Sequence, residues 1–172
     1  MATPVEPIVT LEPRTAGHAE VLFAVLAEPA LYEFIEEDPP ESVELLRRKF
    51  ARSESRRSPD GSEHWLNWVV RDETRNVAGY VQATVAADLQ THIAYLFGSA
   101  FQGRGLASAA VAQMLVSVAA EFGVTTFFVV AERSNSRSVR LARRLGFVEV
   151  SAEFAAQRRT AAHDVLLQKV LP

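Results

Sequence analysis

Phe97-Gly98-Ser99-Ala100-Phe101-Gln102-Gly103-Arg104-Gly105-Leu106-Ala107-Ser108 is the stretch on which the fold turns. It runs from the end of an extended segment into the start of a helix. Small residues let a backbone approach a ligand closely, and Gly103 and Gly105 accept angles that strain other residues. The first turn of a helix carries N–H groups without intrahelical partners and a partial positive charge, so it favours anions, phosphates above all. Arg104 adds a cation. The plain alternative is a glycine-rich connection. The stretch lacks the Gly-Lys-Ser/Thr ending of a phosphate loop. Ser108 stands where a dinucleotide Gly-x-Gly-x-x-Gly fingerprint has its third glycine.

Downstream, Ala107–Phe122 places Ala107, Ala110, Val111, Met114, Leu115, Val118 and Phe122 on one helical face, and Gly123 stops the helix. Thr125–Ala131 is a continuous apolar run, as expected of a strand buried on both faces. Asn135–Leu145 reads as a short helix capped by Ser134 or Asn135, with Gly146 after its end. Val148–Phe154 and Val165–Leu171 read as two closing strands. Only the unit from Thr91–Phe97 through the long helix to Thr125–Ala131 has the length of a parallel crossover. If those strands are neighbours, both following loops lie at one sheet edge, where ligands of such sheets bind.

Upstream, Ile8–Glu12 is an edge strand closed by Pro13. Gly17–Glu28 is a helix with Ala19, Leu22, Phe23, Val25 and Leu26 inward, ended by Pro29. Leu31–Ile35 adds a helical turn. A second helix opens at Glu41, with Val43, Leu45, Leu46 and Phe50 as its apolar face. Residues 53–64 are polar and turn-rich and read as a mobile loop. Period-two segments follow: Trp65–Arg71 and Val77–Ala86, paired antiparallel about the turn Asp72–Asn76, then Thr91–Phe97. The order is β-α-α-β-β-β-α-β-α-β-β, an α/β chain of the mixed-sheet α+β kind with helices on the sheet's faces.

The whole chain of 172 residues reads as one domain, 1–172, with 48% hydrophobic and 23% charged residues. It has no Cys, which excludes disulfides, thiolate metal sites and a cysteinyl-acyl intermediate. The net charge of −3 does not favour nucleic acid as a partner. The basic residues Arg47, Arg48, Lys49, Arg52, Arg56 and Arg57 read as a solvated face. No apolar run reaches about 18 residues, so no membrane span is expected. Met1–Pro7 lacks the basic and apolar regions of a secretory signal, and a cytoplasmic location is expected.

Two motifs in this order are specific together. Gln102-x-x-Gly105-x-Ala107 resembles the acetyl-CoA signature of the GNAT acetyltransferase superfamily. Asn135-x-x-Ser138-x-x-Leu141-x-x-x-Leu145-Gly146-Phe147 resembles its following helix motif. Leu11-Glu12-Pro13-Arg14 and Asp164-Val165-Leu166-Leu167 resemble the branch of ribosomal-protein alanine N-acetyltransferases.

The resemblance implies a central sheet splayed between Thr91–Phe97 and Thr125–Ala131, with acetyl-CoA as co-substrate and no metal. Backbone N–H groups of Gln102, Gly103, Arg104, Gly105, Leu106 and Ala107 would hold the CoA pyrophosphate. Leu96 and Phe97 would pair with the pantetheine arm, and Asn135 would hydrogen-bond it. Ser138 would lie near the thioester sulfur, and Arg144 near a CoA phosphate. Many family members carry a Tyr acid seven residues after that Asn. Here the position is Ala142, and the resemblance passes the role to Ser138. An amine acceptor, a small molecule or a protein N-terminus, would attack directly in a ternary complex.

Base candidates are Glu132, Glu153 and the acidic group Glu33, Glu36, Glu37 and Asp38, with His92 and His163 behind them. Phe97 N–H would meet the carbonyl oxygen. Acceptor candidates are Glu33, Glu36, Trp65, Gln82 and Tyr95, with Asn67, Trp68 and Tyr80 on the same strands. The resemblance admits a homodimer through the late strands, which nothing in the residues requires. Two other readings stay open: a non-catalytic acyl-CoA-binding module, suggested by Ala142, and a general nucleotide-phosphate binder using the same loop.

Overall fold

The computed structural model describes residues 7–172. Residues 1–6, which carry most of the expectation about a secretory signal, lie outside the described residues. One seven-stranded sheet organises the rest. Its strands are β1 (Thr10–Pro13), β2 (His64–Arg71), β3 (Val77–Val85), β4 (Thr91–Phe97), β5 (Thr126–Glu132), β6 (Val148–Glu149) and β7 (Asp164–Val170), in the order β1-β2-β3-β4-β5-β7-β6. All neighbours are antiparallel except β4 and β5. That parallel pair is joined by helix α3 (Leu106–Phe122), the expected crossover. Pro13 has no N–H to give to a ladder, and it sits on the edge strand, where that costs little.

The sheet carries a core on each face. On one, Ala110, Val111, Met114, Leu115 and Val118 of α3 pack against Val81, Ile93, Phe97 and Phe127. Glycines with left-handed backbone bound α3, Gly105 at φ 79° and Gly123 at φ 68°. On the other face, α1 (Ala19–Leu26) and α2 (Val43–Ala51) enclose Leu22, Leu26, Leu46 and Phe50 over Val69. The Ser42 hydroxyl accepts from Leu45 N–H at 3.2 Å and starts α2. Leu45, expected inward, is 48% exposed, because the inward stripe of this two-turn helix is complete with Leu46 and Phe50.

The expected strand Val148–Phe154 is only two residues long. Ser151 accepts from Phe154 N–H at 3.2 Å and opens a further helix, α5 (Ala152–Gln157). A good N-cap followed by Ala152, Glu153, Ala155, Ala156 and Gln157 outweighs the aromatic residue that suggested a strand. Helix α4 (Ser136–Arg144) lies between β5 and β6, as expected.

Candidate active site

The sheet divides at the only parallel pair among the described residues. β4 and β5 are in register only at Thr91–Phe127 and His92–Phe128. Beyond that point β4 continues to Phe97 and β5 to Glu132, with no strand pairing between them among the described residues. Two strand edges thus face one another across a gap in the middle of a sheet. Backbone N–H and C=O groups are obligatory hydrogen-bonding groups. A gap lined by them fits an extended amide-bearing ligand that pairs strand to strand. Gly98 N–H bonds Ala78 C=O on β3 at 3.0 Å. Since N–H direction alternates along a strand, Phe97 N–H points to the other side, into the gap. Gly79 makes the β3 side of this rim possible, because a Cβ there would stand 2.1 Å from Leu96 C=O.

The two loops that follow β4 and β5 meet at the open end of the gap. Gln102 joins them: its Nε2 donates to Phe97 C=O at 3.0 Å, and its Oε1 accepts from Arg137 on α4. Gly103 has φ 77° and no atom within 4 Å of where a Cβ would stand, so its backbone lies open to a ligand. The first turn of α3, Leu106 and Ala107, follows directly. These residues fit a CoA pyrophosphate.

Arg104 is committed elsewhere. Its guanidinium donates to the buried Asp72 carboxylate at 3.3 Å. Asp72 also accepts from Thr74 Oγ1 at 2.7 Å and from Thr74 and Asn76 N–H, each at 3.0 Å. The Thr74 hydroxyl first, then these N–H groups and Arg104, hold its carboxyl below the usual range. Arg104 therefore ties the loop to the β2–β3 turn. Neither Asp72 nor Arg137 was singled out from the sequence, since each partner is more than 30 residues away.

At the start of α4 the Asn135 carbonyl oxygen accepts from Ser138 N–H at 3.1 Å. Asn135 is thus the N-cap. Ser138 faces β4, and its hydroxyl lies 3.0 Å from the Tyr95 phenol oxygen. Ala142 is buried beneath α4, and Arg144 is exposed in its last turn. Tyr95, expected among acceptor contacts, packs partly buried against the core of the α3 face, whereas Tyr80 and Leu96 pack on the other face. The structure brings it together with Ser138 and apart from Trp65 and Gln82.

Trp65 and Gln82 share the α1–α2 face by register with Thr84 and Asn67. Trp65 is held by its indole N–H donating to Glu63 at 2.9 Å. Glu33 and Glu36 line a shallow depression of about 400 Å3 between α1 and α2, with Tyr32, Glu37 and Asp38. Glu132 ends β5 and accepts from the Ser134 hydroxyl. Glu153 stands exposed on α5 instead of on a strand. Where the gap closes, His92 stacks on Phe128 at 5.4 Å, Phe128 on Phe154 at 6.3 Å, and Arg158 lies over both Phe rings. Burial there, with Arg158 beside it, holds the His92 imidazole below its ordinary value. The aromatic group joins distant segments and left no local signal.

A split parallel pair followed by an open glycine turn and a capped helix is an arrangement that fits an extended phosphate-bearing cofactor. The acetyltransferase (GNAT) domain family matches residues 9–148. The chain belongs to that family, and it is an acetyl-CoA-dependent N-acetyltransferase.

Sequence comparison with curated proteins finds no match. Solved structures share the fold. The ribosomal L7/L12 alpha-N-protein acetyltransferase in complex with coenzyme A superposes with TM-score 0.78 at 19% identity, covering 98% of this chain and 97% of that one. The ribosomal-protein-S5-alanine acetyltransferase from Vibrio fischeri gives 0.74 at 16%, covering 94% and 92%. The spermidine N-acetyltransferase from Vibrio cholerae, in complex with CoA and spermine, gives 0.72 at 16%, covering 93% and 92%. Among the described residues no helix is long and apolar enough to cross a membrane.

Proposed function

We propose that residues 1–172 form one cytoplasmic acetyltransferase domain that transfers acetyl to a primary amine by direct attack in a ternary complex. The amine is a protein N-terminus or a small molecule. The observation that carries this reading is the β4–β5 gap with Ser138 beside its rim. Acetyl-CoA supplies the thioester. Backbone N–H groups from Gln102 to Ala107 hold the pyrophosphate, Leu96 and Phe97 pair with the pantetheine arm, Asn135 adds a side-chain contact, and Arg144 meets a phosphate. Phe97 N–H, aimed into the gap, stabilises charge on the carbonyl oxygen. Ser138 O–H hydrogen-bonds the leaving sulfur. Glu132, at the end of β5, accepts the amine proton directly or through water, with Glu153 as the second candidate. Glu33 and Glu36 attract the cationic acceptor. Named neighbours that act on ribosomal proteins and on spermidine support an amine acceptor.

Thiol release from acetyl-CoA, with an alanine-initiated peptide and with spermidine as acceptors, tests the reading. At least one acceptor is expected to support release by the wild type. Ser138→Ala is expected to keep CoA affinity within about twofold by calorimetry and to lose about 10²-fold in rate. No release with either acceptor, or wild-type turnover by Ser138→Ala, overturns it.

A further inference from the structure

The tyrosine that many family members carry on α4 is Ala142 here, buried at 1% exposure. A phenol nevertheless reaches the same helix from a different element. Tyr95 stands on β4 two residues before Phe97, so the two side chains share the α3 face. Its phenol oxygen lies 3.0 Å from Ser138 Oγ and 3.3 Å from Ser138 C=O. The contact links residues 43 apart in sequence, across the part of the sheet where β4 and β5 no longer pair.

We propose that Tyr95 is the positioning residue for Ser138: its O–H donates to Ser138 Oγ and leaves the serine's own proton free to point into the gap. This rests on the acetyltransfer reading above. A hydroxyl has one proton and two acceptor lone pairs. If Ser138 donated to Tyr95, its proton would be occupied and sulfur would find no donor. Two features favour the productive orientation. The serine oxygen is nearer to the phenol than the carbonyl is, and that carbonyl already faces the N–H four residues on in α4. Burial holds the Tyr95 phenol above its ordinary value, so it remains a donor.

Proton balance is kept. The amine loses a proton to the base as the C–N bond forms. The C–S bond breaks, and the thiolate is held by Ser138 O–H and leaves as thiol after protonation by solvent. Tyr95 retains its proton throughout and touches no reacting atom.

Titration of bound CoA tests this without an acceptor. A hydrogen bond to the thiolate favours the charged form and lowers the thiol pKa. Thiolate absorbance of CoA saturated with wild type, Tyr95→Phe, Ser138→Ala and the double variant gives that pKa, and calorimetry gives the affinity. Both single variants are expected to raise the bound-thiol pKa by about 1 unit, and the double variant to raise it no further than Ser138→Ala. Turnover should follow, with Tyr95→Phe losing about tenfold in kcat at unchanged KM for acetyl-CoA. Placing 3-fluorotyrosine at position 95 keeps the hydroxyl and the packing while making a better donor. It should move the bound-thiol pKa downward, and this decides the matter should Tyr95→Phe not fold.

If Tyr95→Phe leaves pKa and kcat at wild-type values while Ser138→Ala changes both, the positioning role is overturned and the acetyltransfer reading stands. Additive shifts in the double variant also overturn it. If wild type does not bind CoA, the functional reading itself fails.

Discussion

A methyl group at position 79 would stand 2.1 Å from the Leu96 carbonyl oxygen, closer than any real Cβ contact. Gly79→Ala should therefore force β3 and β4 apart where β4 forms the rim of the gap. We expect a loss of about 2–3 kcal/mol in urea unfolding, within the usual range for strain introduced by overpacking. CoA affinity should fall with it, since Leu96 and Phe97 are the residues proposed to pair with the pantetheine arm. Gly79 reads in the sequence as an ordinary strand position. Gly103 and Gly105 were legible because they punctuate the start of a helix. The roles of Tyr95 and Arg104 were not, because each depends on a partner far along the chain: Ser138 for one, Asp72 for the other.

Among the elements, α4 joins stability to the proposed function through its cap. Asn135 holds Ser138 N–H at 3.1 Å, so it fixes the turn that presents the serine. Asn135→Ala should cost about 1 kcal/mol of stability by the loss of an N-cap, while Asn135→Ser should retain nearly all of it. If the Asn135 amide also contacts the pantetheine arm, both variants weaken CoA binding, and Asn135→Ser does so with stability intact. Urea unfolding and calorimetry on the two variants separate these roles. The long helix α3 and strand β4 were legible almost to the residue, because amphipathic period and glycine stops agree there. The Val148–Phe154 segment was not, because its short edge strand gives way to a capped helix, and alternation over so few residues decides little.

For the whole molecule, the split sheet makes a specific demand. A general phosphate binder would use the Gln102–Ala107 turn alone, whereas the proposed acetyltransfer site uses the turn together with the gap. CoA and acetyl-CoA at 100 times their dissociation constants should stabilise the fold by about 2.7 kcal/mol. For a domain of this size that is a rise of roughly 5–10 °C in Tm. ATP and NAD at matched concentration should give no comparable shift, because neither carries an arm to pair with β4. Equal shifts with ATP would place the binding on the turn only and remove the gap from the account.

Apart from the helix α5, the order of elements, the parallel crossover and the loop facing a helix start followed from local signals: hydrophobic period, glycine stops and the capping residue Asn135. These are properties of neighbours in the chain, so the sequence carries them without knowledge of the fold. Tertiary structure decided how far β4 and β5 stay in register, and therefore where the gap begins, two residue pairs into the parallel ladder. It also decided which face each strand side chain takes. Trp65 and Gln82 fall on the α1–α2 face, and Tyr95 falls on the α3 face against Ser138. Those outcomes depend on the packing of helices against both faces of one twisted sheet, a balance among residues distant in sequence.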